Sequence, residues 1–173
     1  RFGAILGSAM VVKLVGETAP DLRLLTGGKI IVATVKQWDM LSRRWRQRKA
    51  VQSVALIIFD ELHFLGGDLG PTMEVVISRM RYISSQLEGD TKMRIVGLGA
   101  SLANAREVGE WMGVSNKSLF NFSPRVRPIP LEIYFQSFDQ SNYSARLMAM
   151  SKPVYNSIVR HSGEKSVIVF VPS

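Results

Sequence analysis

The sequence predicts an α/β protein built on a doubly wound parallel sheet, and two observations carry that prediction. Four short runs show little polar alternation, as strands covered on both faces do: "MVVKLV" (Met10 to Val15), "KIIVAT" (Lys29 to Thr34), "VALIIF" (Val54 to Phe59) and "MRIVGLG" (Met93 to Gly99). Helical patterns fall between and after them, from Gln37 to Arg48, Pro71 to Leu87 and Asn104 to Met112. Alternation of buried strands and helices is the pattern of a layered α/β sheet.

In chain order, "RFGAILG" (Arg1 to Gly7) reads as the end of a helix running into the first strand. The helix from Pro71 is the clearest, because Pro71 suits a first helical turn and Met73, Val76, Ile77, Met80, Ile83, Ser84 and Leu87 recur at helical spacing. After Trp111 the character changes. "NFSPRVRPIP" (Asn121 to Pro130) holds three prolines without helical or strand period and reads as an extended connector. A strand, "LEIYFQSF" (Leu131 to Phe138), and a helix from Ser144 to His161 follow, with a kink or break expected at Pro153. The chain closes on a further buried-strand run, "SVIVFV" (Ser166 to Val171). A core strand with nothing after it to cover it suggests a second domain that has only begun. The expected organisation is therefore a first lobe over 1–122, a connector over 123–130 and the start of a second lobe over 131–173, cut from a longer protein.

Composition narrows the function classes. The 173 residues are 46% hydrophobic and 21% charged, which suits a packed domain rather than a disordered chain. There is no cysteine, so disulfides and thiolate metal sites are excluded, a reducing compartment fits, and two histidines alone make a poor metal cage. The apolar runs are well short of the roughly 20 residues a membrane span needs. A formal net charge of +8 attracts polyanions, nucleic acid foremost; the alternatives are a basic surface kept for solubility or one that meets an acidic protein. The segment "SRRWRQRK" (Ser42 to Lys49) gathers five positive charges around Trp45. Its arginines could meet RNA phosphates, while Trp38, Leu41 and Trp45, spaced by three and four, could equally be the buried face of a helix.

The chemistry concentrates in "LIIFDELHFLGG" (Leu56 to Gly67), where an apolar strand ends in Asp60, Glu61 and His63. In open α/β sheets sites gather at the carboxyl ends of strands. An Asp there can hold the magnesium that bridges nucleotide phosphates, and a neighbouring Glu can deprotonate the attacking water. The alternative is that Asp60 caps a turn while Glu61 and His63 are merely solvated.

The fuller string "DELH" (Asp60 to His63) matches the D-E-x-H box of superfamily-two helicases, and the flanking "GG" (Gly66, Gly67), "GP" (Gly70, Pro71) and "EVVISRMRYISSQ" resemble the Ski-two-like RNA helicases. "GETAPDLRLL" (Gly16 to Leu25) and "TVKQWDMLSRRW" (Thr34 to Trp45) look like that family's two nucleic-acid-contacting segments. "LGASLANAREVGEWMG" stands in the place of its S-A-T motif, and "FNFSPRVRPIPLEI" and the C-terminal run are similar to its connector and second lobe. "SRMRYISSQ" and "FNFSPRVRP" are most similar to the C-terminal cassette of two-cassette members that remodel paired small nuclear RNAs in splicing. Two-cassette members of ribosome quality control and transcription coactivation are the alternative.

The resemblance implies a partial first RecA-like lobe, a parallel sheet flanked by helices, followed by the start of a second. It implies Asp60 as the Mg²⁺ residue, usually through water, Glu61 as the base for hydrolytic water, and His63 as the link to Gly99, Ala100 and Ser101. It implies RNA contact at Gly16, Glu17, Thr34, Arg43 and Arg44. ATP and Mg²⁺ are the implied cofactors of the complete cassette. Small nuclear RNA, spliceosomal proteins and a sister cassette are the implied partners, in the nucleus.

Three departures qualify this. Gly99 stands where the family has Ser, removing a hydroxyl from the coupling motif, and Ser101 replaces Thr. "TVKQWD" replaces T-P-E-K-W-D, so Val35, Lys36 and Gln37 stand for Pro, Glu and Lys. No G-x-x-x-x-G-K-[ST] phosphate loop occurs; "LLTGGKI" fails because Arg23 stands at the first glycine position and Ile30 follows Lys29. The cradle is therefore expected upstream of Arg1, and these 173 residues by themselves are expected neither to bind ATP tightly nor to hydrolyse it. The first two departures lean towards a weakly active, regulatory cassette.

Overall fold

The computed structural model describes residues 4, 5, 7, 10–87 and 92–171. It divides into two compact units, 1–122 and 123–173. The expected helix end at Arg1 to Gly7 falls largely outside the described residues.

In the first unit β1 (Val11–Lys13) is followed by helix α1 (Thr18–Gly27), β2 (Ile30–Val32), α2 (Val35–Ser42) and the short α3 (Lys49–Gln52). Then come β3 (Leu56–Phe59), α4 (Gly70–Gln86), β4 (Arg94–Gly97) and α5 (Ala105–Trp111). All four expected strands form, and all pairing is parallel. β1 pairs with β2 from Val11 opposite Ile30 to Lys13 opposite Val32, and β3 pairs with β4 from Leu56 opposite Arg94 to Phe59 opposite Gly97. Among the described residues these are two separate two-stranded sheets rather than the single sheet expected. One strand face is also bare: Phe59 is buried, but Leu56 and Ile58 are half-exposed, so the expectation of cover on both faces does not hold for β3.

The core lies where α4 packs on α2. Met73, Val76, Ile77, Met80 and Ile83 of α4 are all buried, at the helical spacing predicted, and Leu41 of α2 meets them with no exposed surface. Each such side chain contributes about 1.5–3 kcal/mol on burial. The Trp38 indole N–H points at the Met80 sulfur, 3.3 Å away.

α2 is shorter than the Gln37–Arg48 helix predicted. It stops at Ser42, and the chain turns through a 3₁₀ segment, Trp45–Gln47, before α3. The cause is local: the Arg48 guanidinium donates to Leu41 O (2.6 Å) and Met40 O (3.1 Å), and the Gln52 amide donates to Trp45 O (2.9 Å). These side chains satisfy carbonyls that a continuing helix would have bonded. Trp45 consequently leaves the helix and lies half-buried against Tyr82, so the three-residue buried face reduces to Trp38 and Leu41.

A buried polar network ties α2 to α4. Arg79 donates to Asp39 Oδ1 and to Ser42 Oγ, both at 2.8 Å, and Arg43 donates to Asp39 Oδ2 at 2.6 Å. The hydrogen bond from Arg43, helped by Arg79 and opposed by burial, holds the Asp39 carboxyl below the usual carboxylate range. A lowered folded-state value means that the carboxylate stabilises the fold at neutral pH and that this contribution is lost as pH falls through that value. Asp39→Asn is expected to cost about 2 kcal/mol at neutral pH, mostly through Arg79, since the exposed Arg43 is screened. In denaturant melts the difference from the parent should vanish in acid; a constant difference would mean that the charge is not what matters.

In the second unit α6 (Tyr143–His161) begins at Asn142, whose side chain accepts from Ala145 N at 3.0 Å. It runs unbroken through Pro153, against the break expected there. Residues 131–138 and 166–171 form no strand, and Phe135, Ile168 and Phe170 are almost fully exposed, so neither the strand predicted at 131–138 nor the buried strand predicted at 166–171 is found. A buried strand needs ladder partners and cover on both faces, and among the described residues neither run has a ladder partner.

Candidate functional site

Strand β3 delivers Asp60, Glu61 and His63 at its carboxyl end, and the parallel pairing with β4 sets Leu98 to Ser101 beside them. Leu98 N donates to Phe59 O and Leu62 N donates to Leu98 O, both at 2.8 Å, so the two strand exits are zipped one residue beyond the sheet. Asp60 Oδ1 accepts from Glu61 N at 2.9 Å. Glu61 has φ +58°, ψ +43°, the left-handed region that a non-glycine residue occupies at a cost on the order of 1 kcal/mol. That turn aims an exposed carboxylate outward from a short 3₁₀ segment, Leu62–Gly66, anchored by buried Leu62.

His63 lies between the two motifs. Its Nδ1 accepts from Ala100 N at 3.2 Å, and its Nε2 is 3.4 Å from Glu61 Oε2. An accepting Nδ1 places the ring proton on Nε2, facing the Glu61 carboxylate. The imidazole thus touches the carboxylate on one side and the backbone of the Gly99–Ser101 segment on the other. The contact to that segment is made through a main-chain N–H and does not need the hydroxyl that Gly99 lacks. Glycine also lets the segment lie close: a Cβ at Gly99 would stand 3.3 Å from Leu62 Cβ.

Asp60 is exposed and its second oxygen makes no hydrogen bond among the described residues. Those residues contain no cluster of three or more metal-ligating side chains. A lone outward carboxylate oxygen fits Mg²⁺, a hard ion that keeps waters and phosphate oxygens as its other ligands. "TGGK" offers no phosphate cradle. Gly28 is the C-cap of α1, its N–H bound to Leu24 O, and this end of a helix carries partial negative charge.

The segments expected to meet RNA lie at the exits of β1 and β2. Gly16 has φ +99°, and Glu17 is the N-cap of α1, a helix that the strand and helix periodicities did not predict. Thr34 caps α2 in a reciprocal box with Gln37. Arg43 is held by Asp39, whereas the Arg44 guanidinium makes no hydrogen bond or ion pair among the described residues; Arg46 lies over the Trp45 ring at 5.4 Å. Two residues of these segments are not among the individual RNA contacts expected. Asp21 is completely buried, and Gln37 bridges two segments. From within α1, Asp21 reaches back to Val15 and Gly16.

The DEAD/DEAH box helicase family model matches residues 2–108, and the chain belongs to that family. It is 57% identical, over its whole length, to DExH-box ATP-dependent RNA helicase DExH12 of Arabidopsis thaliana. Over 94% of the chain it is 55% identical to the U5 small nuclear ribonucleoprotein 200 kDa helicase of Homo sapiens and 45% identical to Activating signal cointegrator 1 complex subunit 3 of Danio rerio. The chain spans about 8% of the first two relatives and 10% of the third.

Proposed function

We propose that this chain is part of an ATP-dependent RNA helicase of the pre-mRNA splicing machinery, working in the nucleus on small nuclear RNA, with spliceosomal proteins and a sister cassette as partners. The observation that carries the reading is the placement of His63 between the Glu61 carboxylate and the Ala100 amide, a direct link between a water-activating group and a second motif. Identity of 48–57% to U5 helicases and plant DExH-box RNA helicases, against 45% to the cointegrator subunit, favours splicing over the ribosome-quality-control alternative.

In this reading Asp60 holds Mg²⁺, which when bound neutralises charge on the nucleotide phosphates. Glu61 accepts a proton from the attacking water, and His63 keeps the Glu61 carboxylate oriented through its Nε2 proton. Gly16, Glu17, Thr34 and the guanidinium of Arg44 meet RNA, with Arg43 contributing its exposed edge. Among the described residues no helix is long and apolar enough to cross a membrane. The experiment is ATP hydrolysis by the complete protein with and without RNA. Stimulation by RNA is expected. A second reading, a weakly active regulatory scaffold, is favoured by the missing hydroxyl at Gly99, and hydrolysis indifferent to RNA would select it.

A further inference from the structure

Three consecutive backbone stations at the exit of β1 are occupied by side chains from two different helices. Asp21 on α1 accepts from Val15 N at 2.8 Å through one carboxylate oxygen and from Gly16 N at 3.0 Å through the other. Gln37 on α2 donates from Nε2 to Leu14 O at 3.2 Å, while its Oε1 accepts from Thr34 N at 2.8 Å and its backbone N–H donates to Thr34 Oγ1 at 3.3 Å. Asp21 has no exposed surface, so its carboxylate depends on those two amides, and its loss would leave them unpaired. Gly16 completes the arrangement: at φ +99° it makes the turn, and a Cβ there would stand 3.6 Å from Gln37 Nε2.

We infer that Asp21 and Gln37 are positioning residues that lock the Gly16–Glu17 turn and the Thr34 cap into one rigid frame for RNA. The inference rests on the RNA-contact reading proposed above. Gln37 is the sharper half of it. A lysine at this position could donate to Leu14 O, but it has no acceptor for Thr34 N, whereas the carboxamide supplies a donor and an acceptor and closes both links at once. The departure "TVKQWD" therefore joins the two segments covalently distant in sequence through a single side chain. A frame held before RNA arrives reduces the ordering cost of binding. It adds no cation at the contact, so it should act on affinity without changing the number of phosphates neutralised.

The test uses the complete protein and a single-stranded RNA oligonucleotide, comparing Asp21→Asn, Gln37→Met and Arg44→Ala. Affinity is measured across a salt series, and backbone amide exchange is followed at Val15 and Gly16, held by Asp21, and at Thr34, held by Gln37. Asp21→Asn is expected to speed exchange at Val15 and Gly16, Gln37→Met is expected to speed it at Thr34, and both are expected to weaken binding about three- to tenfold, with the salt slope unchanged. Arg44→Ala should flatten the slope and leave exchange alone. Unchanged exchange in both frame variants overturns the inference, because the amides are then not held by these side chains. Faster exchange with unchanged affinity also overturns it. In that case a flattened slope for Arg44→Ala leaves the RNA reading standing without the frame, and a silent Arg44→Ala removes that reading too.

Discussion

Glu61→Gln in the complete protein is expected to keep nucleotide bound while turnover falls by about 10²- to 10⁴-fold, the usual worth of a positioned general base. The substitution is nearly isosteric, and the amide oxygen can still face the His63 Nε2 proton, as Oε2 does at 3.4 Å. The left-handed turn at Glu61 and the Asp60 Oδ1 contact to its backbone N–H are untouched, because both are main-chain features. What the amide cannot do is accept a proton from water. Nucleotide affinity and hydrolysis rate measured on the same preparation separate the two effects. Turnover at the parent rate would remove Glu61 from the role of base.

Gly70→Ala is expected to destabilise the first unit by roughly 3 kcal/mol or more, the range of severe overpacking with backbone displacement. A Cβ at Gly70 would stand 1.9 Å from Leu65 O and 2.7 Å from Leu65 C, and these are backbone atoms that no rotamer change can clear. The Gly70 N–H also donates to Gly67 O at 2.8 Å, closing the turn that leads from the Leu62–Gly66 segment into α4. Relief requires moving that segment, which carries His63 and buried Leu62, away from the helix whose Met73 and Val76 build the core. Gly66→Ala is the matched control, since nothing lies within 4 Å of a Cβ there. Denaturation midpoints should separate the two variants clearly. Equal midpoints would mean that the "GG" to "GP" turn tolerates a side chain and that its glycines serve some other purpose.

Much of this was legible in the sequence, and the reasons are physical. The α4 face is a long, regular apolar stripe opened by Pro71, and five of the seven positions named for it are buried, Ser84 and Leu87 being partly exposed. The Asp60–His63 tip was legible because an apolar strand ending in three ionisable groups has few stable uses. The misses have other causes. α1 was obscured by Pro20 and the Gly27–Gly28 pair, which suggest a loop, yet Pro20 sits harmlessly in the first turn and Gly28 is the cap. The end of α2 is decided by Arg48 and Gln52 reaching back to its carbonyls. Asp21 looks like a solvated helix charge until its two amide partners are seen. Residues 131–138 and 166–171 have the composition of strands, but composition cannot supply ladder partners.

The central claim is that the Asp60–Glu61–His63 tip belongs to an RNA-responsive hydrolytic site. The most direct measurement is the initial rate of ATP hydrolysis by the complete protein in the presence of Mg²⁺, titrated with RNA, beside the Glu61→Gln variant. The rate is expected to rise to a plateau with RNA and to be lost at every RNA concentration in the variant. A parent rate that stays flat across the titration, or a variant that matches the parent, would contradict it.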